Sequence, residues 1–273
     1  MTVFRRFYTF LRDFLLIVKA EVVRDLLFMK RYPLEPISFL FFMYLILMSI
    51  LLGFSQLMEG GVKALNSEKM ILGYCLMQFV LATQMGWSGQ IQNESQTGTL
   101  EQLSISGHSL GGVLLSRGMA QMPRQMLSFF LLLGAYRLSL PDSKIDLSSS
   151  LLAIPVMIVM GIGIYGVAFV FAGLTLIFKR VGFFFQIINF GFLGLFWQDR
   201  SHLKGVTANL YDIFPLTLGM EKLQGLFVRD YQTTNDASFV FFCFTCLVSA
   251  VVGYWLFRRM EIKARQLGLL SQY

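Results

Sequence analysis

The sequence predicts an all-α polytopic membrane protein: six transmembrane helices, an N-terminal amphipathic interfacial helix, and re-entrant half-helices before the last span. Three observations carry that expectation. Of the 273 residues, 55% are hydrophobic and only 14% are charged, about half the charge of an ordinary soluble domain. Several apolar stretches approach or exceed the roughly 20 residues a helix needs to cross a bilayer. The 23 lysines and arginines sit mostly beside those stretches, where the positive-inside rule puts them. The net charge of +7 therefore reads as membrane topology and not as a nucleic-acid surface, and 28 phenylalanines suit lipid contact better than base stacking. Cys75, Cys243 and Cys246 all fall inside apolar runs, so no disulfide framework is expected.

The opening "MTVFRRFYTFLRDFLLIVKA" has the arginines of a signal peptide, but its apolar run from Phe14 to Val18 is too short and is closed by Asp13 and Lys19. Phe4, Tyr8, Leu11, Leu15, Val18, Val22 and Leu26 recur at helical spacing, opposite Arg5, Arg6, Arg12, Asp13, Lys19 and Arg24. Segment 1–31 is expected to lie as a helix in the membrane interface. Segment 33–88 holds the first two spans, Pro33 to Leu57 and Met70 to Ser88, joined by "MEGGVKALNSEK". Glu35 reads as a charge in the first turn of span one. A polar cytoplasmic loop covers 89–118, and spans three to five occupy 118–196. Span three is the weakest: its apolar part, Met126 to Tyr136, crosses only if Arg124 and Arg137 snorkel to opposite interfaces. Span four runs from Leu151 to Phe178 and span five from Gly182 to Phe196, with Lys179 and Arg180 between them. Segment 197–236 has apolar pieces too short to cross, broken by Gly205 and Pro215, as expected of half-helices dipping into the outer leaflet and forming an extracellular gate. Span six covers 238–257, and 258–273 is a tail. Basic residues before span one, between spans four and five, and after span six place both termini and the 89–118 loop in the cytoplasm.

Four motifs invite chemistry. "GHSLG" at 107–111 fits the G-x-S-x-G elbow of a serine hydrolase, with Ser109 as nucleophile and Asp146 or Asp199 with His202 as partners. The topology puts Ser109 inside and the other three outside, across about 30 Å of hydrocarbon, so Ser109 is expected to cap a helix and its glycines to form a turn. "GIGIYG" at 161–166 fits G-x-G-x-x-G but sits mid-span with no strand before it, so its glycines are expected to permit close helix approach. "CFTC" at 243–246 lies in an apolar helix with only two histidines in the whole chain, which favours packing over metal or redox work. No Walker sequence occurs, and no metal or catalytic site is expected. In-span amides Gln78, Gln186 and Asn189 are candidates for a substrate pathway, or for hydrogen bonds between helices.

The loop "NESQTGTLEQLSISGHSLGGVLLSRGM" resembles the cytoplasmic loop of ABC transporter permeases of the type-2 exporter family, through Glu94, Gly98, Thr99, Leu100, Glu101 and Leu103, with Arg117 at its end. "LYDIFPLTLGMEKLQGLF" resembles that family's proline-containing re-entrant pair, and "ARQLGLLSQY" its C-terminus. The family often has a proline where this chain has Ser106 and Gly107. The resemblance implies a permease subunit in a plasma (bacterial inner) membrane that exports a hydrophobic or amphipathic substrate such as a drug, lipid or lipid-linked glycan. It implies a homodimer or a heterodimer with a homologous permease, and a separate nucleotide-binding ATPase subunit that holds ATP and Mg, this chain binding no cofactor. The coupling residues it implies are Glu94, Thr97, Gly98, Thr99, Leu100, Glu101, Gln102, Leu103 and His108. Thr97 or Thr99 is expected to cap a short helix from about Leu100, with Glu101 in its first turn. A membrane serine hydrolase and a non-transporting scaffold are the rival readings.

Overall fold

A computed structural model describes residues 2–57, 67–105, 109–140, 143, 145–179, 181–197, 203–228 and 239–268. Among these, the regular elements are helices: α1 Thr2–Arg31, α2 Leu34–Leu57, α3 Ser67–Gln96, α4 Thr99–Ile105, α5 Leu110–Ser139, α6 Ser150–Phe178, α7 Gly182–Trp197, α8 Val206–Ile213, α9 Pro215–Phe227 and α10 Phe239–Gln266. The one extended pairing among the described residues is an isolated antiparallel bridge between Ile145 and Val228.

Four helical stretches are long and apolar enough to cross a membrane: Leu34–Gly53, Glu68–Gln96, Leu147–Phe178 and Phe239–Gln266. These correspond to expected spans one, two, four and six. Expected spans three and five do not reach the same standard. α5 has 30 residues but carries Arg117, Arg124 and Arg137, and α7 has 16, about 24 Å of helix against roughly 30 Å of hydrocarbon. The polar stretch 89–118 is mostly helical, because α3 continues past Ser88 to Gln96 and α5 already begins at Leu110. The N-terminal stripe divides between the bundle and the outer surface. Val18 and Val22 are partly buried, whereas Leu15 and Leu26 are 57% and 61% exposed. The half-buried face of α1 includes the acids Glu21 and Asp25.

The core forms two clusters. The larger gathers the start of α3, the second half of α5, the first half of α6, all of α9 and Phe242 and Cys246 of α10. The smaller marks one end of the bundle, where α3, α6 and α10 finish and α5 begins, around Trp87, Leu100, Leu114, Phe169 and Phe257.

α6 is the central helix, and its glycines set how it is packed. A Cβ at Gly253 of α10 would fall 2.0 Å from the Gly166 carbonyl oxygen, and one at Gly166 would fall 2.2 Å from the Ser249 carbonyl oxygen. The two backbones touch, as small-residue seams allow in membrane helices. Ser249 Oγ strengthens the crossing by donating to the Gly163 carbonyl at 3.0 Å. The glycines of "GIGIYG" therefore serve helix approach, as expected, and Gly161 similarly makes room for the Met122 side chain. Trp87 of α3 stacks on Tyr165 and meets Phe169 edge-on, at centroid distances of 5.1 and 4.8 Å.

Two short helices, α8 of 8 residues and α9 of 13, occupy the segment before α10. Pro215 starts α9, where its missing N–H costs no helical bond. Thr217 Oγ1 donates back to the Phe214 carbonyl at 2.8 Å and to the Tyr211 carbonyl, closing the α8–α9 turn. From that turn α9 runs along α6, with Pro215 against Gly163 and Gly219 against Met160. The α8–α9 turn thus reaches the middle of α6.

The α6–α10 seam predicts a selective response. Gly253→Val should destabilise the protein by at least about 1–3 kcal/mol through overpacking against backbone. Gly134→Ala, where a Cβ meets nothing within 4 Å, should be neutral or slightly stabilising. Thermal unfolding in detergent compares them, and equal melting of the two variants would refute the seam.

Candidate functional site

The end of the bundle nearest α4 brings together charges from three helices. Arg117, in the second turn-and-a-half of α5, donates from Nη1 to Glu94 Oε1 of α3 at 2.5 Å and from Nε to Glu21 Oε1 of α1 at 3.0 Å. Arg24 Nη2 lies 2.6 Å from the other oxygen of Glu21. The Arg117, Glu94 and Glu21 side chains are 9%, 17% and 12% exposed, so the cluster is largely withdrawn from solvent. Burial alone would lower the pKa of Arg117, but Glu94 and then Glu21 more than offset it and hold the guanidinium above its ordinary value. Further along the same two helices, Arg124 Nε lies 3.0 Å from Asp25 Oδ2. Acids four apart on α1 and arginines seven apart on α5 each share a helical face, so α1 and α5 pair acid to base.

Glu94 leads directly into the loop that resembles the coupling segment. Gly98 makes the turn from α3 to α4 with φ of +73°, a left-handed backbone that glycine adopts without strain. Thr97 Oγ1 donates to the Asn93 carbonyl at 2.9 Å, and the Thr99 hydroxyl lies 2.9 Å from that of Thr97. These threonines were expected to cap α4. Their hydroxyls donate to the C-terminal carbonyls of α3, both reaching that of Glu94 at 3.3 Å. The short helix itself is where it was expected, with Leu100 2% exposed in the smaller core cluster and Leu103 packed against it. Gln102 is exposed. The Glu101 side chain and His108 lie outside the described residues.

Ser109 caps α5: its Oγ accepts from the Gly112 N–H at 3.1 Å, in extended backbone geometry. Asp146 caps a short 3-10 turn by accepting from the Ser148 N–H at 2.9 Å. Ser109 and Asp146 flank α5 at opposite ends, about 45 Å apart along a 30-residue helix. Asp199 and His202 lie outside the described residues. Cys246 is buried against Gly163 and Cys243 is half-buried, both as free thiols.

The three in-span amides do not share one cavity. Gln78 lines a cavity between α2, α3 and α5, whereas Gln186 is exposed on α7. Asn189 is 2% exposed, and neither of its amide atoms has a hydrogen-bond partner among the described residues. Gly205, with φ of +63°, sits in an exposed turn before α8, while Pro215 is buried at the α8–α9 turn. Sequence reasoning missed Glu21 and Asp25. Their signal was present as two acids one helical turn apart on a helix whose charges are mostly basic.

No protein-family model matches the chain, and no curated protein matches it.

The charge cluster predicts that Arg117→Ala leaves the part-buried Glu94 uncompensated and Glu21 with Arg24 alone, and costs about 3–5 kcal/mol. Arg117→Lys should recover only part of that, because an ammonium cannot present two fixed donors to two carboxylates. Denaturant or thermal unfolding in detergent measures both; parent-like stability of Arg117→Ala would show that the cluster holds nothing together.

Proposed function

We propose that this chain is the membrane subunit of an ATP-driven exporter, with ATP hydrolysis performed by a separate subunit docked at the end of the bundle nearest α4. The observation that carries this reading is the attachment of α4. It is a seven-residue helix with Leu100 set into the smaller core cluster and Gln102 facing outward. It comes directly after Glu94, which Arg117 ties to α5 and, through Glu21, to α1. A push on α4 is therefore delivered at once to α1, α3 and α5, which is what an ATPase partner requires of a membrane subunit.

The full six-span topology belongs to this reading. α5 crosses with Arg124 and Arg137 reaching opposite interfaces, and α7 crosses by local thinning of the bilayer. α8 and α9 then dip from the outside, where the Pro215 turn closes the pathway against the middle of α6. Both termini and α4 face the cytoplasm of a plasma membrane, by the distribution of lysine and arginine. The cargo is hydrophobic or amphipathic, and two such chains, or this chain and a homologous one, enclose the path. α2 and α10 offer the apolar surface, with Phe41, Phe42, Val240, Phe244 and Val251 exposed.

Purification of the full chain should bring with it an ATPase subunit bearing a Walker sequence. Gln102→Arg changes only an exposed α4 position and should weaken that association about tenfold, worth about 1.4 kcal/mol. The double variant Glu94→Gln, Glu101→Gln should lower the ATPase activity of the reconstituted complex. Undiminished association and activity in both variants would sink the assignment of α4 as the coupling element.

A further inference from the structure

α2 is fixed to the bundle from its midpoint onward, where Leu47 and Leu51 are buried. Tyr44 stacks on Tyr136 at 5.2 Å, its hydroxyl lies 2.6 Å from Ser139 Oγ, and Tyr136 donates to the carbonyls of Met43 and Tyr44. Toward its N-terminus α2 stands off from α3 and α5, and a cavity of about 360 Å³ opens there beside the end of α1. One part of the wall is polar, with Glu35, Gln78, Arg124 and Ser128; the rest is apolar, with residues such as Phe39 and Leu127. Through Leu40, Leu131 and Leu132 the space continues into a second cavity of about 330 Å³, lined by apolar surface and Tyr44. The combined shape is a polar head chamber with an apolar groove beyond it, between α2 and α5.

The charges of the head chamber narrow what can fill it. Glu35 is exposed at its mouth and makes no ion pair among the described residues. Arg124 meets Asp25 through Nε, and its guanidinium has two further nitrogens for an anion. A ligand with a phosphate alone would leave Glu35 unmatched, and a purely cationic one would face Arg124. We propose that this crevice binds one glycerophospholipid with a zwitterionic, primary-amine headgroup: the phosphate at Arg124, the ammonium at Glu35, and one acyl chain along the α2–α5 groove. The lipid is a fixed ligand that fills the gap under α2, so its binding is independent of whether the chain exports anything.

The test is native mass spectrometry of the full chain released from lipid nanodiscs holding equal amounts of phosphatidylethanolamine, phosphatidylcholine and phosphatidylglycerol. Phosphatidylethanolamine should be retained about tenfold over the other two, the ratio one charge-assisted hydrogen bond supplies. Glu35→Gln should erase the preference for phosphatidylethanolamine over phosphatidylcholine without altering the melting temperature. Leu131→Trp should fill the groove and abolish retention of any of the three. Equal retention of all headgroups, or unchanged retention in Leu131→Trp, overturns the proposal. A Leu131→Cys thiol that crosslinks to a second copy of the chain would assign the crevice to a dimer interface and overturn it as well.

Discussion

The backbone contact between α6 and α10 is the constraint on which the rest of the bundle depends. Apolar burial gives little drive for one helix to prefer another over lipid, so helices associate through close packing and polar contacts. Here the Gly166 carbonyl stands where a Cβ on residue 253 would be, and the Ser249 carbonyl where one on residue 166 would be. Neither position accepts even alanine without moving a helix. With α10 held on one side, α6 presents its other faces to Trp87 of α3 and to α9, which fits Gly219 against Met160 and Pro215 against Gly163. The depth reached by the α8–α9 turn is thus set by the small residues of α6.

The end of the bundle nearest α4 adds a second kind of constraint. Arg117 is buried enough that an unmatched guanidinium would be costly, and its two carboxylates come from different helices. The cluster therefore cannot be satisfied by α5 alone. It forms only when α1, α3 and α5 are in register, which makes it a reporter of their relative positions as well as a fastening. α10 ends in a related but self-contained way: Glu261, whose side chain is 1% exposed, receives Arg258 and Arg265 from its own helix. That arrangement neutralises a buried carboxylate without linking α10 to any neighbour. Displacement at that end would strain the first cluster and leave the second intact.

Helices, their approximate ends and the broken segment before α10 were legible in the sequence because they depend on runs of apolar residues and on single punctuating residues such as Pro33 and Pro215. The cap at Ser109 and the packing role of Gly161, Gly163 and Gly166 were legible because a serine or glycine in an apolar context has few other uses. What was not legible came from pairing across the chain. Thr97 and Thr99 look like caps for α4, and only the fold shows their hydroxyls turned back onto α3. Glu21 and Asp25 look like minor acids in a basic helix until Arg117 and Arg124 are placed opposite them. Acid–base pairing with α5 likewise determines which face of α1 turns toward the bundle, leaving Leu15 and Leu26 exposed on the other.

Two different kinds of attachment consequently hold α2. At its midpoint Tyr44 joins Tyr136 and Ser139 of α5 by stacking and hydrogen bonds that need specific geometry, and Leu47 and Leu51 beyond it are buried. At its N-terminal end it is continuous with α1 through Tyr32 and Pro33, and α1 is tied to α5 by ion pairs. Only 11% of its apolar window is buried in the bundle, against 67% for α3. A helix so little packed has its position set by these attachments. Any rearrangement of the Glu21–Arg117–Glu94 cluster would reach α2 through the α1–α2 elbow, and α2 would pivot about Tyr44. The hydrogen-bonded tyrosine pair is thus the fixed point, and the charge cluster the adjustable one.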